Sequence, residues 1–463
     1  MPKKEAATMD GSSHLKRVLN LWDLISYGII VVMPIGPVLI FGISQKLSQG
    51  HTVSTILIAM VAMMVTAVSY GRMSALYPSA GSAYVYVARG LNPHLGFLTG
   101  WAMFLDYLLM PLINIIYGAL ALQRLIGPLF PRIPAGLLFG ALAALFAGAM
   151  TFLNLRGIKA TARTNLLLLI VMCGAISVWM VLALRFLYHR EGLSGIISLH
   201  PFYNAATFRW RAIAAGTSFA ALTYIGFDGV TTLAEEVDNP RRNVLLATVL
   251  VCLFTGLFGA LQAYIAQCVW PDWQTFPNLE TAFLDVSERV GGIILFKITA
   301  GVLVVACLGT GLSGQAGAAR LLFGMGRDNV LPRRFFGYLD PKTNNPSRNI
   351  WIIGIMAFVG ALLLSYEVGA ELLNFGAFLA FMGVNLAVLR SFYFRDNARQ
   401  ERRIVVDAVI PMFGFVFCLA IWLGLPMPAK IVGGIWFLLG FCYQFVQTRG
   451  FTREPATIDF SET

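Results

Sequence analysis

The chain has 463 residues, 57% of them apolar and 12% charged, with a mean hydropathy of +0.72. An ordinary soluble domain is roughly 25% charged, so this composition excludes a soluble globular protein and points to a bilayer as solvent. The formal charge of +11 comes without aromatic or polar readers on a soluble face, which excludes nucleic-acid binding as its purpose.

The leading segment MPKKEAATMDGSSHLKR is polar and has no apolar run with a cleavage site. No removable signal peptide is expected, and the first span serves as its own insertion signal. A window of about 20 residues, the length of helix that crosses hydrocarbon, predicts twelve spans. They lie near 22–45, 52–75, 93–124, 134–154, 162–188, 212–236, 243–270, 291–325, 349–366, 370–394, 404–425 and 429–448. The fold class is therefore an all-α integral membrane protein, with tails at 1–19 and 449–463 and one membrane domain over 20–448. Twelve spans put both termini on one side. Most of the 34 Lys and Arg fall in loops on that side, so the positive-inside bias places both termini in the cytoplasm.

The first span breaks at Met33-Pro34-Ile35-Gly36-Pro37. Two prolines lack an N–H and clash with the preceding turn, and Gly36 adds backbone freedom, so continuous helix is hard to maintain. Either the segment unwinds and offers free amides at the positive end of a half-helix, or it is a proline kink in a buried helix. In the third span, Asp106 stands beside Tyr107 in a stretch that must otherwise cross lipid, so it should face the protein interior. It would pair there with a substrate amine or with a neighbouring helix.

The sixth span breaks at Thr223-Tyr224-Ile225-Gly226-Phe227-Asp228-Gly229. A carboxylate at that depth needs a cation, a set of hydrogen bonds or a proton. Asp228 would contact a substrate ammonium, carry a proton, or cap a half-helix. Tyr224 and Phe227 offer aromatic faces that bind an alkylammonium or cover the site, unless they simply pack. Glu235 and Glu236 close the span among mixed charges, as a solvated loop or as gate pairs.

Interrupted helices survive at membrane depth only where the freed groups line a cavity, and two in one chain mark the substrate site of many secondary transporters. Their first and sixth places fit two five-span halves of opposite topology, about 20–188 and 212–394, with two added spans at 404–448. The six cysteines fall within spans with no CxxC spacing, and the five histidines form no i, i+4 pair. No disulfide framework, metal site, cofactor or catalytic cluster is expected.

Several strings together resemble a bacterial permease of the amino acid/polyamine/organocation superfamily, nearest in pattern to its putrescine importer branch. They are Tyr77 to Tyr86, Asn92 to Phe97 with Gly100-Trp101, Leu105 to Pro111, Tyr224 to Asp228, Glu235-Glu236, Gly314 to Pro332 and Leu373 to Ala377, in register from about residue 15 to 455. The resemblance implies a five-plus-five inverted repeat, two extra helices and alternating access around a midplane site in the bacterial cytoplasmic membrane. It implies that a substrate carboxylate meets the amides from Ile35 to Val38, with Met33, Pro34, Gly36 and Pro37 around it. An amino group would meet carbonyls from Leu222 to Ile225. Asp228 stands where related antiporters handle protons and gate, and Ser313 and Gln315 stand where the eighth span nears the site. Two departures from the family pattern bear on substrate and coupling. Leu39 replaces an acid of the polyamine branch, and no basic residue lies between Asn165 and Val181, so coupling by a lysine near Val171 is excluded. Thr310 and Ser313 are a thin hint of sodium ligands.

The expected function is import of a small amine-bearing solute, an amino acid first and putrescine second, with a proton as coupling ion on Asp228 or Asp106. Two other classes stay open: a receptor of the same fold that binds without transport, and a subunit of a membrane enzyme. Oligomeric state is not legible.

Overall fold

The computed structural model describes residues 19–78, 81–156, 162–327, 331–341, 343, 345–394 and 403–455, with the backbone alone at 162–165 and 235. Apolar stretches become helices here because a chain in hydrocarbon satisfies its N–H and C=O groups only within itself. Helix α1 (Leu21–Val32) begins at a capping box. Asn20 Oδ1 accepts from the amides of Trp22 and Asp23, and Asp23 accepts from the Asn20 amide at 2.9 Å. Helix α2 (Gly36–Ser48) follows across a 46° bend. The chain then runs back and forth through α3 (Thr52–Leu76), the short α4 (Ser82–Gly90), α5 (Pro93–Ile126), α6 (Ala135–Leu155) and α7 (Ala162–Glu191). Next come the single turn α8 (Leu193–Ile196), α9 (Trp210–Ala220), α10 (Pro240–Val269), α11 (Ala282–Arg327) and the single turn α12 (Arg333–Phe336). Helices α13 (Ser347–Leu363), α14 (Tyr366–Val388), α15 (Ile410–Gly424) and α16 (Met427–Gln447) complete it.

Among the described residues ten helices are long and apolar enough to cross a membrane, and the bent α1–α2 pair makes an eleventh span. Helix α13 is apolar but only 17 residues long, the short limit for crossing hydrocarbon. Helix α11 contains a turn at Gly291 and Gly292, where Gly292 takes φ 63°, so Ala282–Val290 stands apart from the crossing segment. The predicted eighth span starts at that turn. Leu137, Leu167, Ile170, Val181, Ile355, Leu438 and Leu439 lie exposed on α6, α7, α13 and α16. In water such a surface would drive association; against acyl chains it is simply solvated.

Buried polar pairs tie the bundle together, as they must where no water competes. At the end of the molecule where α1 starts, the near end, Arg72 pairs with the buried Asp407, donates to the Val406 carbonyl and lies 4.0 Å over the Phe392 ring. At the far end, Gln45 donates to Gln267 at 2.8 Å and joins α2 to α10. One backbone bridge crosses the sequence. The Leu19 amide donates to the Glu236 carbonyl and the Asp238 amide donates to the Leu19 carbonyl, both at 3.0 Å. The first and sixth spans are thus fastened to each other at the near end. All six cysteines are free thiols.

Candidate functional site

Both predicted breaks are present, and they meet. At the first, α1 ends on Met33 in the left-handed region with φ 64°, and Pro34 and Ile35 separate it from α2. The Pro34 carbonyl accepts from Gln262 Nε2 of α10 at 3.0 Å. The Gly36 amide donates to the Met33 carbonyl at 2.7 Å and the Val38 amide to the Ile35 carbonyl at 3.0 Å. Pro37 has no N–H, so of the amides expected to serve a carboxylate, that of Ile35 alone has no backbone acceptor among the described residues.

At the second break, α9 tightens into a 3₁₀ turn, Ala221–Tyr224, passes through extended Ile225, reverses at Gly226 with φ 109°, and continues as a 3₁₀ run over Phe227–Glu236. The two breaks are in contact: a β-carbon on Gly226 would lie 2.8 Å from Val31 Cγ1 of α1. Glycine is required there on both counts, backbone conformation and space.

Between the breaks lies a cavity of about 60 Å³, room for a few waters or a small solute. Val31, Val32, Leu39, Ile40, Met110, Ile113, Leu222, Ile225 and Leu373 make its wall apolar, and Met33, Gly36, Asn114, Thr223, Thr310 and Tyr366 complete it. Among the described residues no charged side chain lines it. The polar groups of the wall already donate inward: Thr223 to the Ala220 carbonyl at 2.7 Å, Asn114 Nδ2 to the Met110 carbonyl at 2.8 Å, and Thr310 to Met33 Sδ at 3.7 Å. Besides the second N–H of Asn114 and the Tyr366 hydroxyl, what they still offer is acceptor oxygen, which suits an ammonium.

Several predicted site residues stand elsewhere. Tyr224 is fully buried and donates to the Ile56 carbonyl of α3 at 2.8 Å. Phe227 is fully buried with ring centroids 5.4 Å from Tyr70 and 5.2 Å from Phe381. Both are packing residues, and neither presents a face to the cavity. Gln315 is turned from the site onto α6 and α13. Its Nε2 donates to Thr151 Oγ1 at 2.9 Å and to the Ile350 carbonyl at 3.1 Å, and its Oε1 accepts from Asn154 at 3.0 Å. Ser313 is exposed and donates to the Gly309 carbonyl. Thr310, one turn away, is the α11 residue that lines the cavity. The side chain of Glu235 lies outside the described residues.

Asp106 and Asp228 are half-buried, off the cavity wall and within electrostatic reach of each other. Tyr27, Tyr70, Tyr86 and Tyr107 surround Asp228, and the amides of Gly226, Asp228 and Gly229 are the hydrogen-bonding groups nearest its carboxylate. Neither acid forms an ion pair among the described residues. The Oδ1 of Asp106 is buried without a donor. Met110, Ile113 and Asn114 of the wall follow Asp106 by 4, 7 and 8 positions and so share its helix face, the one signal in the sequence that could have marked them.

A family model described as "Amino acid permease" matches residues 19–457. The low-affinity putrescine importer PlaP of Escherichia coli (strain K12) is 31% identical over 443 residues, covering 95% of each chain. The branched-chain amino acid permease BcaP of Lactococcus lactis subsp. cremoris (strain MG1363) is 27% identical over 94% of this chain and 95% of its own. A methylthioribose transporter of Bacillus subtilis (strain 168) is 25% identical over 97% of each. These relatives are transporters, not enzymes.

Proposed function

The chain belongs to the amino acid permease family, and from that premise we propose that it imports a small apolar amino acid across the bacterial inner membrane. One observation carries the reading: the cavity between the broken helices is largely apolar and, among the described residues, has no charged wall residue. A zwitterion is neutral overall and enters such a space far more cheaply than a dication, whose two charges would each need a buried anion. Its ammonium meets the acceptor oxygens of Asn114, Thr223 and Thr310. Its carboxylate meets the Ile35 amide at the positive end of α2. Its side chain lies against Leu39, Ile40, Met110 and Ile113.

The fold proposed is twelve spans in two inverted halves, with both termini cytoplasmic, so that the near end faces the cell interior. The first and sixth spans, tied at Leu19–Val237 and again where Val31 meets Gly226, rock as one body against α5 and α11. Solute binding shifts the populations of the two states. Asp106 and Asp228 are the carriers proposed for a coupled proton.

A second reading has its own support. The 31% identity to a putrescine importer, together with two carboxylates among tyrosines off the cavity wall, fits a diamine that leaves one ammonium in the cavity and sends the other to Asp106 and Asp228.

Uptake of radiolabelled leucine, isoleucine, valine and putrescine into proteoliposomes, with and without an inward proton gradient, separates these readings. Saturable uptake of an aliphatic amino acid, undisplaced by putrescine, is the expected result. Putrescine uptake that Asp106→Asn abolishes would establish the second reading instead. Binding of either solute without flux would make the protein a receptor.

A further inference from the structure

Next in sequence to Ile40 of the cavity wall, buried Phe41 packs edge-on against Phe276 and Phe283 at 6.0 and 5.9 Å, and Trp179 lies 4.5 Å from Phe283. Glu280, between Phe276 and Phe283 in the chain, belongs to a group of three acids about a Lys46–Glu367 pair. Lys46, in the last turn of α2, pairs with Glu367 in the first turn of α14 at 3.3 Å. Glu280, in the segment before α11, lies near Glu367, and burial raises its carboxyl above the usual range. The third acid is Glu371, one turn beyond Glu367 on the same face of α14.

Glu371 differs from the other two. It is only 5% exposed, it has neither an ion pair nor a hydrogen-bond donor among the described residues, and the charges acting on it are Glu367 and Lys46. Lys46 is already engaged by Glu367. Among the described residues no cation besides Lys46 acts on it. Helix α5 contributes Tyr117, stacked edge-on with Tyr366 at 5.4 Å, and Arg124, which is paired with Asp285. Helix α9 carries Arg211 at its exposed outer turn, and Lys430 of α16 donates to the Leu423 carbonyl. A lone carboxylate in such a place is tolerated as the neutral acid and opposed as the anion. Leu373, two positions on, lines the solute cavity, as does Tyr366.

We propose that Glu371 is the proton-binding residue of the outer gate: the gate shuts over it as the neutral acid and opens when it ionises into water beside Lys46. The proposal rests on the orientation given above, in which the far end faces outward. Its sign follows from linkage. The shut state binds the proton more tightly than the open state, so lowering external pH favours the shut outer gate. With one proton linked, the shift is at most about tenfold per pH unit.

The test uses the full chain in proteoliposomes, stripped of native cysteines and given Ile113→Cys on the cavity wall. Labelling by a membrane-impermeant maleimide from outside is normalised to a second variant with a cysteine at exposed Gln274, which removes the thiol's own pH dependence. The normalised rate should fall at least fivefold from pH 8 to pH 5.5, and Glu371→Gln should make it low and flat. Lys46→Gln keeps the acid but removes the cation, so its midpoint should move to higher pH; this variant carries the test should Glu371→Gln fail to assemble. A pH dependence that survives Glu371→Gln, or a Lys46→Gln midpoint that stays in place, overturns the proposal. Labelling needs no transported solute, so this failure is distinct from a failure of the substrate reading.

Discussion

The two helix breaks do the same thing by different means. The first is short and held from outside: Met33 takes a left-handed turn, and Gln262 of another helix satisfies the freed Pro34 carbonyl. The second is long and held from within. Within its 3₁₀ run over Phe227–Glu236, Thr231 and Thr232 donate to the carbonyls of Asp228 and Gly229 at 2.7 and 2.6 Å, and outside contacts reach it at Ser82 and at Leu19. A joint capped by a neighbour depends on that neighbour for its shape, whereas one that caps itself keeps its shape through its own bonds. The difference makes the first break depend on Gln262 of α10 and the second chiefly on its own threonines.

The largest effect is expected where the breaks touch. Gly226→Ala forces a side chain into φ 109° and against Val31, a strain of about 1–3 kcal/mol. Uptake should be lost and the thermal midpoint in detergent should drop; a variant with unchanged uptake would sever the two breaks functionally. Next comes Gln262→Leu, which leaves the buried Pro34 carbonyl without a donor at a cost of about 1–3 kcal/mol. If the first break depends on its neighbour, uptake falls about tenfold or more, while Thr232→Val at the self-held break has a smaller effect. Gly36→Val probes the solute and not the joint, because nothing lies within 4 Å of a β-carbon placed at Gly36. An unchanged melting curve with a KM for the amino acid raised about tenfold is expected. Least affected is Ser313→Ala, which removes only an exposed hydroxyl bonded to its own helix and should stay within about 0.5 kcal/mol of the parent, with unchanged uptake.

The architecture was legible because lipid imposes a coarse requirement: about 20 apolar residues per crossing, broken visibly by Pro34, Pro37 and Gly226. Of the residues read from the two breaks, Met33, Gly36, Leu222, Thr223 and Ile225 line the cavity. Side-chain direction was not legible. Thr310, Ser313 and Gln315 lie within six residues on one helix, yet one faces the cavity, one is exposed and one is buried against α6 and α13. A shift of about 100° per residue decides among them, and apolar lipid-facing and core-facing surfaces give little periodicity to fix that phase. Tyr224 and Phe227 mislead for a related reason, since an aromatic beside a break reads alike whether it faces solute or a packed helix. Glu371 sits one residue inside the predicted tenth span, where an acid passes for an ordinary helix end.

The bridge between Leu19 and Val237 also bears on how the protein is made. The opening span enters the membrane early in translation, but the residues that Leu19 bridges to follow the sixth span and leave the ribosome much later. Until then Leu19 has no partner and the Gly226 reversal against which Val31 packs does not exist. Such a contact of long sequence separation is slow to close, so the N-terminal half must wait in the bilayer as an incomplete bundle. Chains arrested before residue 237 should be the ones that quality-control proteases recognise.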